Sequence, residues 1–481
     1  MLTIVWFARD LRLADNPALT AAIARGGSVL PLFILDDADA GQWRPGAASR
    51  WWLHQSLVAL STDLRDRGAR LVCRSGRAEE LLATLIAETS ADAVYWSRRY
   101  EPWAVARDAR IEASLNGQGI NVRTFNASLL HDPGTLVNAS GGPYRVFSAF
   151  CRALRASYRS VAPTPAPATI RGTSFDIASE ELDAWRLEGD IALSRPAVRQ
   201  TWIAGEASAH ARLDEFLGDA ISSYHERRNE PGTDGTSRLS PHLHFGEIGP
   251  RQIWWNVTGR AVGDRGLTAS PGAEAYLSEI AWREFSYHLL FKFPAVPESP
   301  LREEFARFPW SRSRIRLARW QRGVTGYPIV DAGMRQLWAT GWMHNRVRMI
   351  VASFLLKDLM IDWREGQRWF HDTLVDADLA NNAASWQWVA GSGADAAPYF
   401  RVFNPVSQGR KFDPVGSYIR RWIPELAALP NAVIHNPWEA SRDELRAAHI
   451  EPGVTYPARI VDHAAARDRA LDAFHALKRS P

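Results

Sequence analysis

The sequence predicts an α/β N-terminal domain on a parallel, Rossmann-like sheet, joined by a long loop to an all-α C-terminal domain. Three observations predict it. Short uninterrupted apolar runs alternate with amphipathic stretches over the first third of the chain. Proline and glycine then replace that periodicity between Gly141 and Thr201, and no strand pattern returns after Gly205. Continuous apolar runs are what strands covered on both faces require, and strand–helix alternation is the signature of a parallel sheet.

In chain order, 2–7, 29–35, 70–73, 93–96 and 121–125 read as strands buried on both faces. Between them, Asn16-Pro17 starts a helix, with proline where the first helical turn tolerates it. The stretches 49–67, 78–88 and 104–117 are long enough for crossover helices. No GxGxxG follows the first strand, so a dinucleotide fingerprint is not expected there. The run Ala162-Pro-Thr-Pro-Ala-Pro-Ala168 belongs to a connector lying over the surface. Helical patterns then cover 207–226, 273–291, 328–341, 342–360, 366–375, 381–389 and 458–478. The expected units are therefore 1–130, 131–200 and 201–481.

The 481 residues are 46% hydrophobic and 23% charged, an ordinary globular composition with room for more than one core. No apolar run approaches the roughly 20 residues of a membrane span, and the N-terminus lacks a basic leader, so neither membrane nor secretion is expected. Two cysteines, Cys73 and Cys151, exclude a disulfide framework and a four-cysteine zinc site and fit a reducing cytoplasm. Net charge is only +4, but four lysines stand against 53 arginines. A GC-rich coding bias accounts for most of that; guanidinium groups also suit phosphates and stacked bases. The 21 tryptophans exceed what core packing needs.

Four constellations carry chemistry. Tyr224 precedes Gly235-Thr236-Ser237-Arg238-Leu239-Ser240-Pro241, where hydroxyls, a guanidinium and backbone N–H groups meet at a helix start. That is an anion site or a plain N-cap. On 273–291, Tyr276, Glu279, Trp282 and Arg283 share one helical face, either as a polar site or as an ion pair among packing aromatics. Trp342, Asn345, Arg346, Arg348 and Met349 make the polar start of an otherwise apolar helix. Finally, Asp376, Asp378, Asn381 and Asn382 precede Trp386 and Trp388. No histidine sits at ligand spacing, so Arg346 and Arg348 are expected to partner these carboxylates and no metal is expected. From Tyr399 through Arg401 to Lys411-Phe412, cations and aromatics interleave, as on nucleic-acid surfaces or a solvated charged face.

With these residues in view, the chain from Trp6-Phe-Ala-Arg-Asp-Leu-Arg-Leu13 to Pro424 resembles the photolyase/cryptochrome flavoproteins. The likeness is to class I cyclobutane-pyrimidine-dimer photolyases of microbes. It is tightest over 235–241, 279–285, Gly326-Tyr-Pro-Ile-Val-Asp331, 341–349 and 376–411. The resemblance implies FAD folded inside the helical domain. Tyr224, Thr236, Ser237, Arg238, Leu239 and Ser240 would hold its phosphates, and Tyr276, Trp342, Asn345, Arg348, Asp376, Asp378 and Asn382 would surround its rings. Asn382 would face flavin N5, a position where an amide favours repair over signalling.

It further implies a DNA substrate carrying a cyclobutane pyrimidine dimer. Glu279 would bond the dimer from a protonated carboxyl, Trp282 and Trp388 would flank it, and Asn345 and Met349 would line the pocket. Arg228, Arg283, Arg346, Arg401 and Lys411 would hold phosphates. Trp386, Trp363 and Trp310 would pass an electron from the surface to oxidised flavin, with Trp320 and Trp369 as side branches. The expected antenna chromophore is folate, with deazaflavin or none as alternatives. The Asn-Glu pair of folate-binding relatives is replaced by Trp103-Ala104, and the lysine of deazaflavin-binding relatives by His244. A monomeric cytoplasmic repair enzyme is the expectation, and a photoreceptor without repair the rival. The end at Pro481, without a long polar extension, favours repair.

Overall fold

The computed structural model describes residues 1–189, 195–263, 270–395 and 400–479. Five strands, β1 (Leu2–Phe7), β2 (Ser28–Leu35), β3 (Val72–Ser75), β4 (Ala93–Ser97) and β5 (Asn121–Phe125), form one parallel sheet in the order β3-β2-β1-β4-β5. The helices Pro17–Arg25, Ala47–Arg65, Ala78–Thr89 and Pro102–Gly117 connect them. Asn16 caps the first of these through its side chain, which accepts from Leu19 N at 3.0 Å. The apolar runs behave as expected in β1, which is buried throughout. β5 does not: it is the sheet edge and is half-exposed along its length. Strand order reverses between β1 and β4, the crevice where such sheets bind ligands.

The connector is more structured than its composition suggests. Phe147–Ser157 is a helix whose Phe150 and Leu154 are fully buried against the long helix Pro271–Lys292. Beyond it the described chain is helical. The 207–226 pattern divides into Glu206–Gly218 and a short turn of helix, Tyr224–Arg227. The polar start at 342–349 becomes the helix Asn345–Ser353, capped by His344 and continued by a π-helical turn, Phe354–Asp358. Helices Trp363–Thr373 and Leu379–Ala390 complete the surroundings of the site.

The two domains are tied by directional bonds as well as packing. Leu11 N donates to Phe245 O at 3.1 Å, Arg12 Nη1 to Gly246 O at 2.8 Å, and Trp52 Nε1 to the buried Glu247 carboxylate at 3.0 Å. Gly246 is required here on two counts. Its φ is +69°, and a Cβ would sit 2.0 Å from Arg9 O.

Candidate functional site

The site lies inside the helical domain, where the loop before the short helix Ser240–Phe245 faces the ends of three longer helices. Arg238 takes φ +50°, a left-handed turn that brings the 236–240 segment back on itself. Tyr276 OH donates to Ser237 Oγ at 3.1 Å, and Trp342 Nε1 donates to Ser240 Oγ at 3.2 Å. Tyr224 packs edge-on against Tyr276 at 5.3 Å, beside the buried Leu239, and Thr236 is half-buried on the same loop. The helix that follows has six residues, so its dipole is small. Arg238 and the hydroxyls, rather than an aligned helix, supply the attraction for an anion.

Opposite the loop, Arg348 Nη2 donates to Asp376 Oδ2 at 2.8 Å while its Nε donates to Met343 O at 2.7 Å. Of the two arginines expected to partner the carboxylates, Arg348 does so, whereas Arg346 donates to Asn229 instead. Asp378 has its own partners. It caps helix Leu379–Ala390 through Asn381 N at 2.8 Å, accepts from Tyr287 OH, and lies 3.8 Å from His244 Nδ1. Burial alone would raise the Asp378 pKa, but the adjacent His244, the Arg283 guanidinium and the bond from Tyr287 OH hold it below the usual range. His244, buried beside Arg9 Nη1 at 3.0 Å, is pushed down to about 4 by burial and by that guanidinium. Asn382 Nδ2 donates to Gln367 O at 3.0 Å, which fixes its amide near the base of helix Leu379–Ala390.

Several polar atoms here are buried without any hydrogen-bond partner among the described residues: Arg238 Nε, His344 Nε2, Gln367 Oε1 and Asp376 Oδ1. Each such group costs on the order of 1–3 kcal/mol if nothing meets it. Arg348 bonds Asp376 and, with Arg238, acts on His344, while Gln367 supplies the carbonyl that Asn382 donates to. An anionic cofactor with ring nitrogens and carbonyls fits them.

On the adjoining face, Arg228 Nη1 lies 2.7 Å from Glu279 Oε1. Burial raises the Glu279 pKa above the ordinary carboxylate value, although Arg228 and Arg346 oppose the rise. Trp282 stacks on Phe147 with centroids 3.6 Å apart and planes 7° apart, and Trp388, half-buried, donates from Nε1 to Asp395 O at 3.2 Å. Arg346 is held by Asn229 Oδ1 at 2.7 Å and lies over the Phe412 ring at 4.5 Å. Burial lowers its pKa, and the neighbouring cations Arg228 and Arg401 lower it further, so these three guanidiniums form one positive track. Met349 is half-buried; Asn345, Arg401 and Lys411 are exposed. Tyr399 lies outside the described residues.

One residue goes elsewhere. Arg283 shares the helix with Glu279 but turns away from it. Its Nη1 donates to Ser128 O at 2.7 Å and its guanidinium covers Tyr287 at 4.9 Å, so it is buried between the domains instead of facing a substrate phosphate. The spacing of 279 and 283 is right for a shared face; the α/β domain packed against that turn claims the arginine.

Trp386, Trp363 and Trp310 belong to one hydrophobic cluster, the first two buried and Trp310 at its partly exposed margin. Trp386 meets Phe370 at 5.1 Å and Trp320 at 6.3 Å, while Trp369 stacks with Trp338 at 6.0 Å. Gly366 makes the Trp386 position possible, since a Cβ there would fall 2.1 Å from the indole. Sequence reasoning passed over Phe147, Asn229, Gly366 and Gln367. Phe147 falls in the stretch taken as connector, and the others are set by tertiary contact.

Fold and site together define a two-domain protein whose helical half encloses a cofactor cradle. A DNA photolyase family model matches residues 3–168, and one for the FAD binding domain of DNA photolyase matches residues 276–476. The chain is 50% identical to the deoxyribodipyrimidine photo-lyase of Agrobacterium fabrum, over 99% of this chain and 98% of that protein. It is 40% identical to cryptochrome-1 of Arabidopsis thaliana, over 97% of this chain and 69% of that one. Its fold matches a crystal structure of a bacterial class III photolyase from Agrobacterium tumefaciens with a TM-score of 0.95 at 50% identity, covering 99% and 98% of the two chains. The chain belongs to the photolyase/cryptochrome family, as a flavoprotein of the photo-lyase class.

Proposed function

We propose that the protein repairs cyclobutane pyrimidine dimers in DNA under light. The observation that carries this reading is the Arg228–Glu279 pair set beside Trp282, Trp388 and the Arg228–Arg346–Arg401 track. That face offers aromatic walls, a positive rim and a carboxyl whose pKa is raised, the combination an extruded pyrimidine pair requires.

When bound, reduced FAD supplies the photoexcited electron that splits the dimer. Around it, Arg238 and the 236–240 hydroxyls would hold phosphate, Tyr276 would order Ser237, and Arg348 would keep Asp376 oriented. Asn382, tethered through its Nδ2, would present its carbonyl oxygen to the flavin edge. Protonated Glu279 would donate to a pyrimidine carbonyl and stabilise charge arriving there. Trp282 and Trp388 would grip the two bases and exclude water from them. Trp386, Trp363 and Trp310 would form the path for reducing oxidised flavin.

The half-identical bacterial relative is described as a class III enzyme, and we place the chain with it rather than with the class I enzymes its motifs first suggested. We divide it at 1–130, 131–200 and 201–481 and take it to act as a monomer. For an antenna we retain folate over deazaflavin, because His244, lodged between Arg9 and Asp378, offers no ammonium. The test is direct. Purified protein carrying flavin is illuminated with dimer-containing DNA and loss of the lesion is followed. A yellow protein that photoreduces yet leaves the dimers intact would establish the photoreceptor reading instead.

A further inference from the structure

We infer that the surface around Trp310 admits small anionic one-electron donors, which return the oxidised indole to its neutral state. The inference rests on the electron path given under the proposed function and adds the partner at its outer end.

The charge is concentrated in sequence. Residues 307–322 hold six arginines and no acidic residue, in a chain whose net charge is only +4. Trp310 lies near the start of this run, partly exposed, with its ring 4.3 Å from Phe308. Ser311 is pinned by its bridge to Ile361, and helix Arg314–Gln321 begins three residues on, with Ser313 Oγ accepting from Arg316 N at 3.4 Å. The backbone between Trp310 and Arg314 is thereby fixed.

Among the described residues, the arginines from 312 to 322 form no ion pair. Arg312 and Arg314 are exposed and Arg316 half-exposed, and none of the three meets a carboxylate among the described residues. Arg319 donates to Val324 O and Arg322 to Ala318 O, which satisfies hydrogen bonds without cancelling charge. Glu304, the nearest acid upstream, is held by Arg302 at 2.6 Å. Ile315, 77% exposed in the middle of the run, is left uncovered by the described residues.

Four residues span at most about 14 Å, so the Arg312 and Arg314 backbones lie near one screening length, about 10 Å at 0.1 M salt, from Trp310. Such a patch concentrates anions and raises their encounter rate by about 10- to 1,000-fold at low ionic strength. Those cations also disfavour positive charge on the adjacent indole, so an electron vacancy there is readily passed outward. The step balances simply. One electron moves from the anion to the Trp310 radical cation, the indole becomes neutral, and the donor leaves oxidised by one electron. No bond forms or breaks.

The first test needs no flavin. Tryptophan fluorescence is quenched with iodide, caesium and acrylamide in the wild type and in Trp310→Phe, and the difference isolates Trp310. Iodide should quench that component about tenfold better than caesium at low salt. The preference should vanish at about 1 M salt, where the screening length is near 3 Å. It should also vanish in the triple variant Arg312→Glu, Arg314→Glu, Arg316→Glu. Equal quenching by the two ions, or a preference that survives charge reversal, overturns the inference.

The second test uses the flavin-loaded protein. The triple variant should lose about tenfold in photoreduction rate with ascorbate and stay within about twofold with uncharged dithiothreitol. A parallel loss with both donors overturns donor selection. If Trp310→Phe photoreduces at the wild-type rate, the electron path fails and the delivery step with it, whatever iodide reports. If undamaged DNA shields Trp310 from acrylamide at low salt, the surface is a nucleic-acid contact and the inference is wrong.

Discussion

Arg228 and Glu279 stand 2.7 Å apart on separate helical segments, and this pair decides what the site's one raised carboxyl can do. Burial raises the Glu279 pKa, and the guanidinium opposes that rise without cancelling it. The expected Glu279→Ala phenotype is retained FAD with a repair yield lowered roughly tenfold, the factor that a hydrogen bond worth about 1.5 kcal/mol represents. Absorbance of bound flavin and dimer loss per absorbed photon check both halves. An unchanged yield would remove Glu279 from the reaction.

Trp386→Phe should stop photoreduction of oxidised flavin while leaving repair intact once the flavin is reduced chemically. Transient absorption of the illuminated protein checks the first statement and dimer loss after dithionite the second. Normal photoreduction would mean that the electron enters by another route.

Gly366→Ala should destabilise the protein by about 1–3 kcal/mol, the usual cost of forcing a methyl into a filled core. The methyl would press on Trp386 at 2.1 Å, so photoreduction should slow in the same variant. Thermal denaturation and photoreduction kinetics are the measurements. A variant with wild-type stability and kinetics would show that the two groups do not meet.

The logarithm of DNA affinity should fall linearly with the logarithm of salt concentration, and Lys411→Ala should reduce the slope by about 0.9 if that exposed ammonium meets one phosphate. Titrations with undamaged and damaged duplexes at several salt concentrations measure it. Arg283→Ala should leave the slope unchanged and lower stability instead, because its guanidinium is bonded to Ser128.

Acidification should weaken the fold between pH 6.5 and about 4. Burial holds His244, His288 and His435 down to about 4 and His344 down to about 3, so the unfolded chain takes up protons that the native protein refuses. Each contributes stability that is present above pH 6.5 and lost as pH falls, at about 1.4 kcal/mol per pH unit per proton. Glu284 acts in the opposite sense. Burial raises it to about 7, so its contribution is full below about 4.5 and lost as pH rises toward 7. The four histidines thus weaken the fold on acidification, and Glu284→Gln, which removes a group acting against them, should make that loss steeper. Urea midpoints at pH 7, 6 and 5 that do not decline would contradict this balance.

The sheet was legible because β1, β2 and β4 are largely apolar, the pattern of strands covered on both faces. β5 shows the limit: Asn121, Arg123 and Thr124 interrupt its apolar residues, and the strand lies half-exposed at the sheet edge. In the site, the polar residues were legible by being out of place: Asp376, Asn382 and Arg348 on segments otherwise apolar. Their partners were not. Nothing local in Arg283 tells that Ser128 will claim it, and nothing in Gly366 tells that an indole will lie against it. The helix at Phe147–Ser157 escaped notice because glycine and proline on either side mask its pattern.

Phe147 is also where the linking segment stops being a mere strap. Its ring lies flat against Trp282, so that indole is locked in orientation before any nucleic acid arrives. The rotamer freedom a lone tryptophan would surrender on binding has already been lost during folding, which preorganises the wall and leaves more of the stacking energy for grip. If Trp282 flanks the dimer as proposed, loosening the Phe147–Ser157 helix would weaken lesion capture from outside the cavity, without touching any group that meets the bases.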